Sequence, residues 1–265
     1  MFDSGVGGLT VLHECLVSLP AEDFVYLGDT AMFPYGSRDV EGLRMRIAAI
    51  ARMLLDRGAK LLVIACNTAT SIGEDVVREV AAERGVDVVP VVEPQAEIAA
   101  AITDNARVGV LATPNTVQSG AYRRALESQG RALEVTEVEA AELAPLIQNG
   151  STFDEEMMAM ARAYCVPLKR AEVDTLILGC THYPLVAPML QRILGRDVRL
   201  VSGGHAVAAA AQRCLDSRGL LRQTRGEGEY SFLCTADIES FRELGSRFLQ
   251  MPLGAIERIE IPAQA

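Results

Sequence analysis

Strand-length apolar runs alternate with longer amphipathic stretches through most of this chain, and no other feature limits its fold as strongly. The runs are Asp23 to Leu27, Leu61 to Ala65, Val86 to Val92, Arg107 to Ala112, Thr175 to Gly179 and Val198 to Val201. Helical patterns occupy Leu9 to Leu19, Glu41 to Arg57, Thr70 to Arg84, Val117 to Gln129 and Phe153 to Ala171. Short runs of this kind read as buried strands that need cover on both faces, and a helix between consecutive strands lets them run parallel. The expected fold class is α/β, with two doubly wound parallel-sheet domains and a ligand site in the cleft between them. A second strand-helix series begins after Glu93-Pro94 and the chain returns near Gly203-Gly204-His205, so residues 1–93 with 206–265 form the first expected domain and 94–205 the second. The last part reads as a helix from Ala206 to Arg218, then a hairpin-like pair, Glu229 to Leu233 and Ile256 to Ile261, with an intervening helix.

Composition narrows the class of function. With 265 residues, 49% hydrophobic and 23% charged, the chain has the apolar material of a globular protein. A net charge of −10 and a pI near 4.9 argue against a broad surface for nucleic acid or anionic lipid. The start Met1-Phe2-Asp3-Ser4 shows no signal-peptide pattern, and no stretch approaches the roughly 20 apolar residues of a membrane helix, so a cytoplasmic location is expected. Six cysteines in that compartment are expected to be reduced, and with no C-x-x-C spacing neither a zinc knuckle nor a thioredoxin-like motif is indicated.

Two segments are variations on one theme. Leu61-Leu62-Val63-Ile64-Ala65-Cys66-Asn67-Thr68 and Thr175-Leu176-Ile177-Leu178-Gly179-Cys180-Thr181-His182 each run from a buried-strand pattern into a cysteine followed by hydrogen-bonding residues. The carboxyl end of a strand is where open α/β sheets bind ligands. Cys66 opens a helix, whose N–H groups and dipole lower a thiol pKa and attract a carboxylate. His182, two residues from Cys180, can tune that thiol or act as acid and base. Taken singly, each cysteine reads equally well as a small buried hydrophobe and His182 as a structural histidine. Their pairing points to two thiols facing one small molecule, one removing a proton and the other returning it on the opposite face.

Other candidates are weaker alone. In Asp3-Ser4-Gly5-Val6-Gly7-Gly8 the glycines permit close backbone approach and Asp3 can hold an ammonium group; neither phosphate-loop pattern is present. After Gly28-Asp29-Thr30, the Tyr35 hydroxyl in Pro34-Tyr35-Gly36 is placed to donate to a carboxylate. The hydroxyls of Thr113 and Thr116 either bind a carboxylate or cap the following helix. Cys15, Cys165, Cys214 and Cys234 read as core thiols, His13 as a helix residue without a role, and His205 stays open.

Together these motifs resemble the glutamate racemases, cofactor-independent amino-acid racemases of bacterial cell-wall synthesis in the aspartate/glutamate racemase family. The carrying segments are Phe2 to Val11, Gly28 to Thr30, Pro34 to Gly36, Ala65 to Thr70, Thr113 to Thr116 and Leu178 to Leu185, in order and across nearly the whole chain. The resemblance implies Cys66 and Cys180 as catalytic acid/bases, Asp3 and His182 as groups assisting them, and contacts to glutamate from Asp3, Ser4, Tyr35, Gly36, Asn67, Thr68, Thr113, Thr116, Thr181 and His182. It also implies a homodimer, no metal and no cofactor. Two departures stand out: family members usually have several residues before Phe-Asp-Ser, so Asp3 and Ser4 are expected to be poorly anchored here, and Gln148 stands where many have glutamate. The geometry of the reaction adds a requirement: sulfurs on either side of one α-carbon stand on the order of 7 Å apart, too far for a disulfide. Competing readings are a racemase of aspartate or another small acid, a cysteine hydrolase using His182 as base, and a degenerate binding protein.

Overall fold

A computed structural model describes residues 1–150, 154–224 and 226–262. The first sheet joins six strands, β1 (Phe2–Asp3), β2 (Phe24–Gly28), β3 (Leu61–Ile64), β4 (Asp87–Pro90), β9 (Tyr230–Cys234) and β10 (Ile256–Arg258), in the order β10-β9-β2-β1-β3-β4. Four strands, β5 (Arg107–Ala112), β6 (Glu134–Glu139), β7 (Thr175–Gly179) and β8 (Arg199–Val201), form the second in the order β6-β5-β7-β8. Every neighbouring pair is parallel. The helices are α1 (Leu9–Ser18), α2 (Val40–Asp56), α3 (Asn67–Ala82), α4 (Val92–Ile102), α5 (Pro114–Gln118), α6 (Ala121–Glu127), α7 (Leu143–Gln148), α8 (Glu155–Arg170), α9 (Ala187–Leu194), α10 (Gly203–Ser217) and α11 (Ile238–Leu249).

The continuous apolar character of β3 is explained by what covers it. Leu62 and Ile64 pack into a core with Leu43, Ile47 and Ile50 of α2, whereas Val63 and Ala65 face the opposite core with Leu9 and Leu12 of α1 and Val207 of α10. Alternate side chains of a strand point to opposite faces, so both must be apolar when helices cover both. The second of these cores runs on without interruption into the second sheet, through Val108, Val110, Leu176 and Ile177.

Several expectations change. The C-terminal pair is no hairpin: β10 lies parallel to β9, because the 12-residue α11 carries the chain back between them. The pattern from Val117 to Gln129 divides into α5 and α6 at Gly120, whose φ of 67° lies in the left-handed region that ends a helix. The run from Val86 to Val92 stops as a strand at Pro90, and Val92 opens α4. Edge strand β6 has no apolar run to mark it, since its sequence, Glu-Val-Thr-Glu-Val-Glu, is half charged. Phe153, at the start of the expected helix to Ala171, lies outside the described residues; α8 itself begins at Glu155 with Asp154 accepting from the Met157 N–H.

The two-residue β1 is firmly held. The Met1 nitrogen donates to Val25 O at 2.9 Å, Leu27 N donates to Met1 O, Ala65 N to Phe2 O and Asp29 N to Asp3 O. Phe2 is thus bonded on the β3 side and Asp3 on the β2 side, so Asp3 is anchored, contrary to the expectation from the short first strand. Among the described residues no helix is long and apolar enough to cross a membrane.

Candidate active site

The two cysteine turns come from different sheets and meet. Cys66 follows β3 as the N-cap of α3, and Cys180 follows β7. Both line one cavity of about 20 Å³ with Ser4, Tyr35, Gly36, Asn67, Thr68, Thr113, Thr181 and His182. Their thiols are free, with residue exposures of 5% and 9%. Larger hollows of about 380 and 620 Å³ lie elsewhere, and neither is lined by a cysteine or histidine.

Cys66 occupies a helix start as expected, and Ala69 N donates to its sulfur at 3.4 Å. The thiol in turn faces the Ser4 hydroxyl at 3.7 Å. Its pKa nevertheless moves opposite to the dipole argument: burial, then the nearby negative charge of Asp3, push it up to about 12. Desolvation of a thiolate outweighs one weak N–H···S bond here. Asp3 is itself fully buried; Oδ2 accepts from Gly5 N at 3.0 Å and Oδ1 from the Thr181 hydroxyl at 3.3 Å, while burial holds its carboxyl above the ordinary range. It lies beside the Cys66 thiol, with its two oxygens already bonded by Gly5 N and the Thr181 hydroxyl.

Burial also pushes the Cys180 thiol up. His182 Nδ1 lies 4.0 Å from its sulfur, and Gln148 Oε1 accepts from Nε2 at 3.0 Å. An amide oxygen can only accept, so Nε2 carries the proton and Nδ1 presents its lone pair toward Cys180. The ring is wedged between Phe33 and Phe248, with centroids 5.2 and 5.0 Å away, and burial lowers its pKa to about 3. With glutamine at 148 the histidine keeps a partner without gaining a charge. Gly7 makes the close approach possible: a Cβ there would stand 2.3 Å from Thr181 Oγ1 and 2.5 Å from His182 Nδ1.

Three hydroxyls close the other side. Thr68 Oγ1 lies 2.8 Å from Thr113 Oγ1 and 3.2 Å from Thr116 Oγ1, which are 3.0 Å apart, so the threonines bond one another across the two sheets and Thr113 does not cap α5 with its side chain. Thr116 sits behind the other two, outside the cavity lining. The Tyr35 hydroxyl is not available to a ligand carboxylate. It donates to Asp29 Oδ2 at 2.6 Å, within a buried cluster where Arg46 grips both Asp29 oxygens and Thr235 donates to Oδ1. Tyr35 and Gly36 therefore border the cavity at a turn whose backbone, not whose phenol, is positioned to serve.

The Asp/Glu/Hydantoin racemase family matches residues 16–211 of this chain. A glutamate racemase of Geobacter metallireducens is 38% identical over 264 residues, covering 100% of this chain and 97% of that protein. In structure, a glutamate racemase isoform from Bacillus anthracis superposes with a TM-score of 0.93 at 31% identity, covering 99% of this chain and 97% of that one. A Francisella tularensis glutamate racemase in complex with D-glutamate gives 0.92 at 31% identity, covering 98% and 96%. The chain belongs to the Asp/Glu/Hydantoin racemase family.

One buried amide in this racemase-family chain belongs to none of the sequence motifs. Gln95 of α4 is fully buried, and its Oε1 accepts from Asn67 Nδ2 at 2.9 Å and from the Tyr122 hydroxyl at 2.5 Å. Asn67 Nδ2 also donates to the Tyr122 oxygen at 2.6 Å. The only local signal for Gln95 is a polar residue among the alanines and isoleucines of an apolar helix face. Of the remaining candidates, Cys15, Cys165 and Cys234 are buried, Cys214 is half-buried, His13 Nδ1 meets Leu249 O at the end of α11, and His205 is exposed on α10.

Proposed function

We propose that this chain is a glutamate racemase, interconverting L- and D-glutamate by two-thiol acid/base chemistry and supplying D-glutamate for peptidoglycan. One observation carries the reading: two unbridged cysteines, at the carboxyl ends of strands in different sheets, line the same cavity. One thiolate takes the α-proton and becomes a thiol, while the opposite thiol gives its proton to the other face and becomes a thiolate. The reverse reaction exchanges the roles.

Both thiols are held protonated in the unliganded site by burial. The substrate's α-ammonium group brings the positive charge that favours a thiolate, so binding and activation are coupled. Asp3 assists Cys66, and His182, with its lone pair toward Cys180, assists the second thiol. The α-carboxylate and the carbanionic transition state are met by N–H groups of the Tyr35-Gly36 turn and the α3 start and by hydroxyls of Ser4, Thr68, Thr113 and Thr181, with Thr116 behind Thr68 and Thr113 holding them in place. Because Asn67 spends both amide hydrogens on Gln95 and Tyr122, its oxygen is the atom left for a substrate donor. A cavity of about 20 Å³ is far below the roughly 300 Å³ of a small ligand pocket, so the cavity between the two halves must widen to admit glutamate and close to exclude water. The halves in this reading are residues 1–93 with 206–265, and 94–205. The enzyme works as a cytoplasmic homodimer without a cofactor.

The test is incubation with L-glutamate in D₂O without added cofactor, following optical rotation and the α-proton signal together. Both are expected to fall, and Cys66→Ser and Cys180→Ser are each expected to lose at least about 10³-fold in racemisation. Racemisation persisting in either variant, or turnover of aspartate in preference to glutamate, overturns the proposal.

A further inference from the structure

One amide bonds both the turn after Cys66 and the strand that ends at Cys180. Gln95 lies in the first turn of α4, the segment that carries the chain from β4 of the first sheet to β5 of the second. Its oxygen is bonded by Asn67, the residue after Cys66, and by Tyr122. Its nitrogen donates to Leu178 O at 3.2 Å, two residues before Cys180, and to Val201 O at 3.3 Å at the end of β8. All four bonding sites of the amide are filled, and none of its surface reaches solvent. A fully satisfied buried network of this kind is rigid, and its donors and acceptors admit one arrangement.

We propose that Gln95 is a positioning residue that sets the separation of the two reacting thiols, by tying the turn after Cys66 to the strand that delivers Cys180. This rests on the two-thiol reading. No other side chain bonds Asn67 on one side and the β7 backbone on the other among the described residues. Losing the amide leaves the cavity walls in place and frees the two turns to drift relative to each other. A drift of about 1 Å between reacting groups costs on the order of 10²-fold in rate. The loss falls on one step in particular. Return of a proton by the thiol that removed it needs only one correctly placed sulfur, whereas inversion needs both.

The deciding experiment follows L-glutamate in D₂O and separates two products by chiral chromatography and mass: deuterated D-glutamate, formed by inversion, and deuterated L-glutamate, formed by return on the same face after thiol exchange with solvent. Gln95→Met keeps length and apolar volume and removes all four bonds. It is expected to lower kcat for racemisation by on the order of 10²-fold, with KM changed less than about threefold, and to raise the ratio of deuterated L- to deuterated D-glutamate by on the order of tenfold. Equal loss of both products, or an unchanged ratio, means that Gln95 serves folding alone and overturns the inference. If Gln95→Met does not fold, Tyr122→Phe decides: it removes one bond to the amide oxygen and is expected to raise the same ratio by a smaller factor, and no rise overturns the inference. Racemisation surviving in Cys66→Ser or Cys180→Ser would instead discard the two-thiol reading, so the two failures are told apart.

Discussion

Gly7→Ala asks whether contact between the glycine loop and the second thiol turn controls the chemistry. The added Cβ would meet Thr181 Oγ1 at 2.3 Å, His182 Nδ1 at 2.5 Å and His182 Cε1 at 2.6 Å, where ordinary contact starts near 3.4 Å. Gly7 does not lie at positive φ, so the clash alone opposes the methyl group. Neither side can yield locally: Thr10 bonds Gly7 O and Thr181 O, and His182 is held by Gln148 and two aromatic rings. The Thr181-His182 turn must therefore retreat by about 1 Å, carrying Nδ1 away from Cys180. Overpacking of this size costs about 1–3 kcal/mol, which lowers Tm by roughly 2–12 °C for a chain of this length, and the displaced turn lowers kcat by on the order of 10²-fold. Circular-dichroism melting and the optical-rotation assay read the two effects separately. Gly254→Ala, where a Cβ meets nothing within 4 Å, is the control and should change neither. Wild-type kcat and Tm in Gly7→Ala would refute the reasoning.

Two further outcomes follow from buried groups. Tyr35→Phe removes one hydrogen bond to the buried Asp29 carboxylate, so it is expected to cost about 1.5–3 kcal/mol in urea unfolding while KM for glutamate moves less than about threefold; a tenfold rise in KM would return the hydroxyl to the substrate. His182, with its pKa lowered by burial to about 3, is expected to stay neutral and add no inflection to the pH–rate profile between about pH 5 and 8. In the unfolded chain the same imidazole takes a proton near 6.5, so its share of stability is complete above that pH and is lost as the pH falls from about 6.5 toward 3. Urea titrations should show that slope diminished in His182→Gln, and an imidazole NMR signal titrating near its ordinary value would contradict the burial argument.

How much of this was legible in the chain depends on how local each determinant is. The buried strands β3 and β7 and the cysteines that end them were readable because a four- or five-residue apolar run and the turn after it lie within one stretch of sequence. The division at Gly120 and the edge strand β6 escaped because a left-handed glycine looks like any other and a half-charged strand is stabilised by its neighbour β5, not by its own pattern. Tyr35 was assigned to a ligand because its partner Asp29, gripped by Arg46 and Thr235, is assembled from three separate segments. Gln95 carried only a faint mark for the same reason: its partners at 67, 122, 178 and 201 become neighbours only when α4 lies against β7 and β8.

By itself the sequence determined the α/β class, the central buried strands and the placing of two thiols at strand ends, since hydrophobic periodicity and turn chemistry act between residues a few positions apart. Only the tertiary structure decided that Cys66 is held as a thiol near pKa 12 and not activated by its helix, that His182 is neutral with its lone pair toward Cys180, and that a buried amide links the turn after Cys66 to strand β7. Those properties depend on desolvation and on partners such as Asp3 and Thr181, which lie 178 residues apart in the chain. Folding must remove water from such groups before their charge states and bonds take these values.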